Sequence, residues 1–96
     1  MKIEVIHAAF EDEAEHMANV TADDRMGVME ALEYAYRWTN NVAGSWSRTD
    51  LEDNGDENAD VEVVKPVGEL GHRSTSVGDY MSCLLYTSDA ADDQLG

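Results

Sequence analysis

The chain is poor in the residues that most often announce a function. Its 96 residues include one cysteine, one proline, one phenylalanine and only six lysines and arginines. Cys83, standing alone, cannot close an internal disulfide, nor can it build a cysteine-based zinc site within one chain. No apolar run approaches the roughly 18 residues of a membrane span, and Met1-Lys2-Ile3 opens no signal-peptide pattern. The expectation is a soluble protein of the host-cell cytoplasm, made of one domain with a modest core. The shortage of bases is the most informative deficit. Twenty-one Asp and Glu leave a formal charge of −15, which opposes compaction and excludes ordinary binding to nucleic acid or to an anionic membrane. Basic partners are favoured instead, although acidity also serves solubility alone.

What the chain does have is concentrated between Asp23 and Trp46, which holds both tryptophans and two of the four tyrosines. Val28, Leu32, Ala35 and Thr39 recur at helical spacing with Met29 and Tyr36 beside them. Gly27, Ala31, Tyr34 and Trp38 widen the apolar surface beyond a normal amphipathic stripe. A long helix is predicted here, capped by Thr21 or Asp23 and stopped by Asn40-Asn41 and Gly44.

The flanking segments must cover that helix. Lys2 to Ile6 reads as a strand rich in β-branched residues. Phe10 to Val20 reads as a first helix, with Phe10, Ala14, Met17 and Ala18 as its stripe and Glu11, Asp12, Glu13 and Glu15 crowding its positive end. Ser45 to Asp60, dense in Asp and Asn and containing Asn54-Gly55, marks a loop. Val61 to Val64 is a strand closed by Lys65-Pro66, and Arg73 to Met81 a strand broken at Gly78-Asp79. The fold expected is α+β: a small single domain over residues 1–82, with two helices packed on a short antiparallel sheet.

Two stretches carry resemblances. Cys83 to Asp93, CLLYTSDAADD, resembles a sequencing adapter translated in frame, which implies a non-native tail over 83–96, a natural protein cut near Ser82 and a gene from metagenomic DNA. Three acids fall in that tail, leaving 18 acids against 6 bases, a net of −12, so the acidity belongs to the remainder. The competing reading is an authentic C-terminal segment, to which Leu84, Leu85 and Tyr86 would add a short apolar strand. The pair EALEYAYRWTNNVAGSWSR and LGHRSTSVGD is similar to a group of small uncharacterised acidic proteins of bacterial viruses and their hosts, over residues 1 to about 80. That likeness implies a phage context and no catalytic residues.

The constellations that could carry chemistry are weak. Asp50 to Asp60 fits a calcium loop at Asp50, Glu52, Asn54, Gly55 and Asn58, but the twelfth position is Val61 and a strand follows. His7, His16 and His72 lack metal-ligand spacing. Ser45, Ser47, Ser74, Thr75 and Ser76 lie near His72, Arg73 and Asp79 in sequence without a nucleophile elbow. Neither an enzyme nor a cofactor or metal site is expected.

The carboxylates as a group suggest more. A nucleic-acid mimic presents carboxylates where a strand presents phosphates, and competes for a protein's Lys and Arg. Glu11, Asp12, Glu15, Asp50, Glu52, Asp53, Asp56, Glu57 and Asp60 are the candidate partner-binding acids, with Glu30 and Glu33 on the long helix and Trp46 as an apolar anchor. The expected function is a phage-type anti-defence inhibitor, an anti-CRISPR or antirestriction protein. Its partner would be a basic nucleic-acid-binding protein such as a Cas effector or restriction enzyme. The alternative is a non-enzymatic protein–protein interaction module in which Trp46, Arg48 and Arg73 form a conventional interface.

Overall fold

The structure is a computed structural model that describes residues 1–83 and 87–89. Along the chain run β1 (Lys2–His7), β2 (Glu15–Thr21), α1 (Val28–Trp38), β3 (Val61–Val63), β4 (Tyr80–Cys83) and β5 (Thr87–Asp89). The strands form one sheet in the order β3-β2-β1-β4-β5, every neighbouring pair antiparallel. The architecture is therefore α+β, with a single helix among the described residues, on one face of the sheet. Of the separate tail expected over 83–96, Cys83 belongs to β4 and Thr87–Asp89 pair with it. Residues 84–86 and 90–96 lie outside the described residues, and with them the Leu84-Leu85-Tyr86 strand.

Alternation along β1 decides which face is the core. Ile3, Val5 and His7 are buried, while Lys2 and Glu4 point to the open face. Pairing brings Val20 opposite Ile3 and Ala18 opposite Val5. Val61 and Met81 complete the covered face, and Ala31, Leu32 and Ala35 of α1 close it with Trp46. The open face carries Glu4, Asn19 and Glu62 in one cross-strand row, with Asn19 Nδ2 donating to Glu62 at 3.1 Å.

The expected helix over Phe10 to Val20 does not form: its second half is β2, and Phe10 to Ala14 is loop. Ala14, Met17 and Ala18 do have helical spacing, but a lone helix of that length is marginal in water. In β2, Met17 and Ala18 sit instead in a strand whose backbone is paired on both sides, against β1 and β3. A register shift between Val5 and Ile6 makes Met17 the extra residue, so Met17 and Ala18 are buried in succession, which blurs the period-two signal.

The long helix is real but starts late. Thr21 ends β2, and Asp23 instead accepts from the Arg25 backbone N–H at 2.8 Å in a local turn. Gly27 is the N-cap, with no side-chain cap bond. At the other end the Thr39 hydroxyl donates to the Ala35 carbonyl at 2.8 Å. The strand expected over Arg73 to Met81 is confined to its end, Tyr80 onward, because Ser76 to Asp79 forms a turn closed from the Asp79 N–H to the Ser76 carbonyl at 3.0 Å. Gly78 takes φ +97° there, with the Ala9 Cβ 3.1 Å from where its own would sit, so only glycine fits.

Candidate functional site

The end of β1 runs into a buried polar knot. His7, Thr39, Thr75 and Asp79 are all buried beside Trp46. The Thr39 hydroxyl donates to Ala35, and Thr75 donates to Thr39 Oγ1 at 2.8 Å. Thr75 Oγ1 is thus left to accept from His7 Nε2, 3.0 Å away, which assigns the proton of the neutral ring to Nε2. Burial is the main reason the His7 imidazole is held below its ordinary pKa; Asp79 opposes this and Arg73 adds to it.

Asp79 is the centre of the knot. It accepts from the Ala8, Ala9 and Ser76 N–H groups at 2.7–2.9 Å and from both terminal nitrogens of Arg73 at 2.8 Å. Burial works against its ionisation, but Arg73 and the three amides outweigh it and hold the carboxyl well below the usual range. Arg73 also donates to both oxygens of Glu11, tying the 8–11 loop to the 73–79 segment. The Thr75 hydroxyl is sealed from solvent, while Ser74 and Ser76 are partly exposed.

A second clasp organises the acidic loop. Asp56 is fully buried, and its Oδ2 accepts from three consecutive amides, Val42 at 2.6 Å, Ala43 at 2.8 Å and Gly44 at 2.7 Å. Such a run of converging N–H groups is an anion-binding nest, here filled by the chain's own carboxylate. Arg37 of α1 donates to Oδ1 at 3.2 Å. Burial raises the Asp56 pKa, and the amides and Arg37 bring it down on balance. Asn54 locks the same loop through Ser45 and Arg48. Of the positions in the calcium alignment, Asn54 is spent on holding the loop and Asp50 on Arg48, while Glu52 faces solvent. Asp56→Asn is expected to cost about 1–3 kcal/mol and to speed amide exchange at Val42 to Gly44, measured by urea unfolding and hydrogen exchange. An unchanged midpoint would contradict the clasp.

Outside the two clasps the exposed charge is mostly acidic. Among the six bases, Arg25 is held by Asp23, Arg37 by Asp56, Arg48 by Asp50, Lys65 by Glu15 and Arg73 by Glu11 and Asp79, at 2.7–3.2 Å. Asp12, Glu13, Glu30, Glu33, Glu52, Asp53, Glu57 and Asp60 are exposed and enter no ion pair among the described residues. Part of this set is zipped together. Tyr34 donates to Asp60 at 2.6 Å and accepts from Asn58 at 2.9 Å, one turn before the Arg37–Asp56 pair. The segment 56–60 therefore runs beside the helix strip that carries Glu30 and Glu33. Burial first, and Asp60 second, push the Tyr34 phenol up, so it stays a donor at neutral pH.

The candidate residues consequently fall into three groups. Asp12, Glu52, Asp53, Glu57 and Asp60 are presented to solvent as expected. Glu11, Glu15 and Asp50 hold Arg73, Lys65 and Arg48, so their charge is already partnered. Asp56 and Trp46 are corrections: both are inside. The Trp46 ring is 1% exposed, stands between His7 and His72, and donates from Nε1 to the Arg73 carbonyl at 2.8 Å. A pattern of polar residues around it, SWS, gave no sign of this, because its cover comes from segments far away in the chain. Asp79 and His7 were the residues sequence reasoning passed over as partners. The Gly78-Asp79 break, visible in the sequence, was the available signal.

Among the described residues no group of three or more His, Cys, Asp or Glu is placed to hold a metal ion, and no helix is long and apolar enough to cross a membrane. No family model matches the chain, and no curated protein or solved structure matches it either.

Proposed function

We propose that this chain is a non-enzymatic acidic inhibitor that acts as a nucleic-acid mimic, filling the basic groove of a nucleic-acid-binding enzyme. The observation that carries the reading is the helix–loop seam, where Tyr34, Asn58 and Arg37 hold the 56–60 segment against α1. It sets Glu30 and Glu33 alongside Glu57 and Asp60 on a rigid support, all four exposed. Carboxylates fixed on two adjacent backbones can meet a row of Lys and Arg without the ordering cost of a flexible tail. Five of the six bases are held in internal pairs, which supports the same reading by leaving the exposed charge mostly negative. The anti-defence setting, with a Cas effector or restriction enzyme as target, rests on the resemblance to proteins of bacterial viruses. A conventional interface anchored on Trp46 lacks support, because that ring is enclosed.

The test is a titration of the chain against a nucleic-acid-free Cas effector and a restriction enzyme, with duplex DNA as competitor. Binding is expected to be displaced by DNA and to weaken roughly tenfold or more between low and physiological salt. The variant Glu30→Gln/Glu33→Gln/Glu57→Gln/Asp60→Asn should bind at least roughly tenfold more weakly while melting within a few degrees of the parent. Binding indifferent to salt, to DNA and to these substitutions would rule mimicry out.

A further inference from the structure

The only phenylalanine of the chain is on the wrong side of the surface for a core residue. Phe10 is 75% exposed, at the head of the loop that carries Glu11, Asp12 and Glu13. Burial of a phenylalanine side chain is among the larger apolar gains available to a small domain, and this one forgoes it. Val77, 71% exposed, lies on the neighbouring turn, which packs against the Phe10 loop through Gly78 and Ala9. Both side chains are exposed, and Phe10 stands among carboxylates. Phe10, Glu11, Asp12, Glu13 and Glu15 line an open cleft of about 590 Å³.

The chain itself shows what the Phe10 ring accepts. The Arg73 guanidinium lies 4.8 Å from the centroid of the Phe10 ring while its nitrogens donate to Glu11. Planar guanidinium against ring, with a carboxylate at its edge, is the arrangement in which arginine outperforms lysine: guanidinium is weakly hydrated and stacks, whereas ammonium is a hydrated point charge. Arg73 covers part of the ring and saturates Glu11. The remaining ring surface stays exposed, beside Asp12 and Glu13, which enter no ion pair among the described residues. The vacant half of the arrangement therefore has the same chemistry as the filled half.

We infer that Phe10, with Asp12 and Glu13, is an arginine-selective docking point for a basic segment of the partner protein. The inference deepens the mimicry reading and rests on it for the nature of the partner. The helix–loop seam supplies charge without choosing between Lys and Arg, and the Phe10 ring supplies the choice. Charge complementarity and the internal Arg73 template single out arginine over a second copy of this acidic chain, which like charges would repel.

The test uses the full chain with a labelled arginine homopeptide and a lysine homopeptide of equal length at low salt. The arginine peptide is expected to bind roughly two- to fivefold more tightly. Phe10→Leu, which keeps apolar bulk at an exposed position, should abolish that preference and leave lysine-peptide binding unchanged. Asp12→Asn/Glu13→Gln should weaken the arginine peptide more than the lysine one. Equal binding of the two peptides by the parent chain, or a preference that survives Phe10→Leu, would overturn the inference. The quadruple seam variant separates this site from mimicry. An arginine preference that persists in it supports the Phe10 site, even if no basic enzyme is bound in the salt titration and mimicry fails.

Discussion

Asp79→Ala is expected to lower stability by about 3–5 kcal/mol, a large part of the roughly 5–15 kcal/mol that holds a typical domain together. The reason is the number of groups that this one carboxylate satisfies. Its removal orphans the Ala8, Ala9 and Ser76 amides and leaves Arg73 with Glu11 and the Ser74 carbonyl. The 8–11 loop and the 73–79 segment are then tied only through Arg73 and Glu11, and the β1 and β4 ends they join are held less firmly. Asp79→Asn keeps an acceptor oxygen and should lose less. Urea denaturation of the three proteins decides the matter; an alanine variant within 1 kcal/mol of the parent would sink the account.

The same knot sets the response to acid, in two stages. The folded His7 imidazole titrates below the ordinary 6.5, chiefly because it is buried. Below pH 6.5 the unfolded chain therefore takes up this proton more readily than the folded one, and stability falls as the pH falls. Asp79 contributes next. Its folded pKa lies under the ordinary 3.8, so its stabilisation is complete above that value and is lost as the pH drops through the folded value. His7→Gln should flatten the first stage and spare the second.

Trp46→Ala should cost about 3–5 kcal/mol as well, by a different route. The ring fills the space between His7, His72 and the core-facing side of α1, and its indole N–H satisfies the Arg73 carbonyl. Alanine leaves a cavity and an unpaired buried acceptor. Trp46→Phe refills most of the cavity but still strands the carbonyl, so about 1–3 kcal/mol is expected. The decisive comparison is between stability and binding. Thermal melts should shift strongly in both variants. Affinity for a basic partner, measured where the variants remain folded, should be nearly unchanged. A variant that melts like the parent but no longer binds would return Trp46 to the interface.

Much about this chain was legible without coordinates, because composition and local period need no distant partner to be read. A formal charge of −15 opposes contact with a polyanion whatever the fold. The Val28, Leu32, Ala35 stripe is core-facing in the structure, since helical spacing places those residues on one side of α1 by geometry alone. Lys2 to Ile6 and Val61 to Val63 likewise carry their β-branched pattern into strands. Only the tertiary structure could decide Glu15 to Thr21, where local spacing suggests a helix while ladders to β1 and β3 make a strand. The same holds for which carboxylates remain available. Asp56 and Glu57 are adjacent and chemically alike, yet one is sealed in a nest of amides and the other faces solvent. A carboxylate's role depends on which donors arrive from elsewhere in the chain, and sequence separation of 12 to 14 residues for Asp56, or about 70 for Asp79, hides those donors from any local pattern.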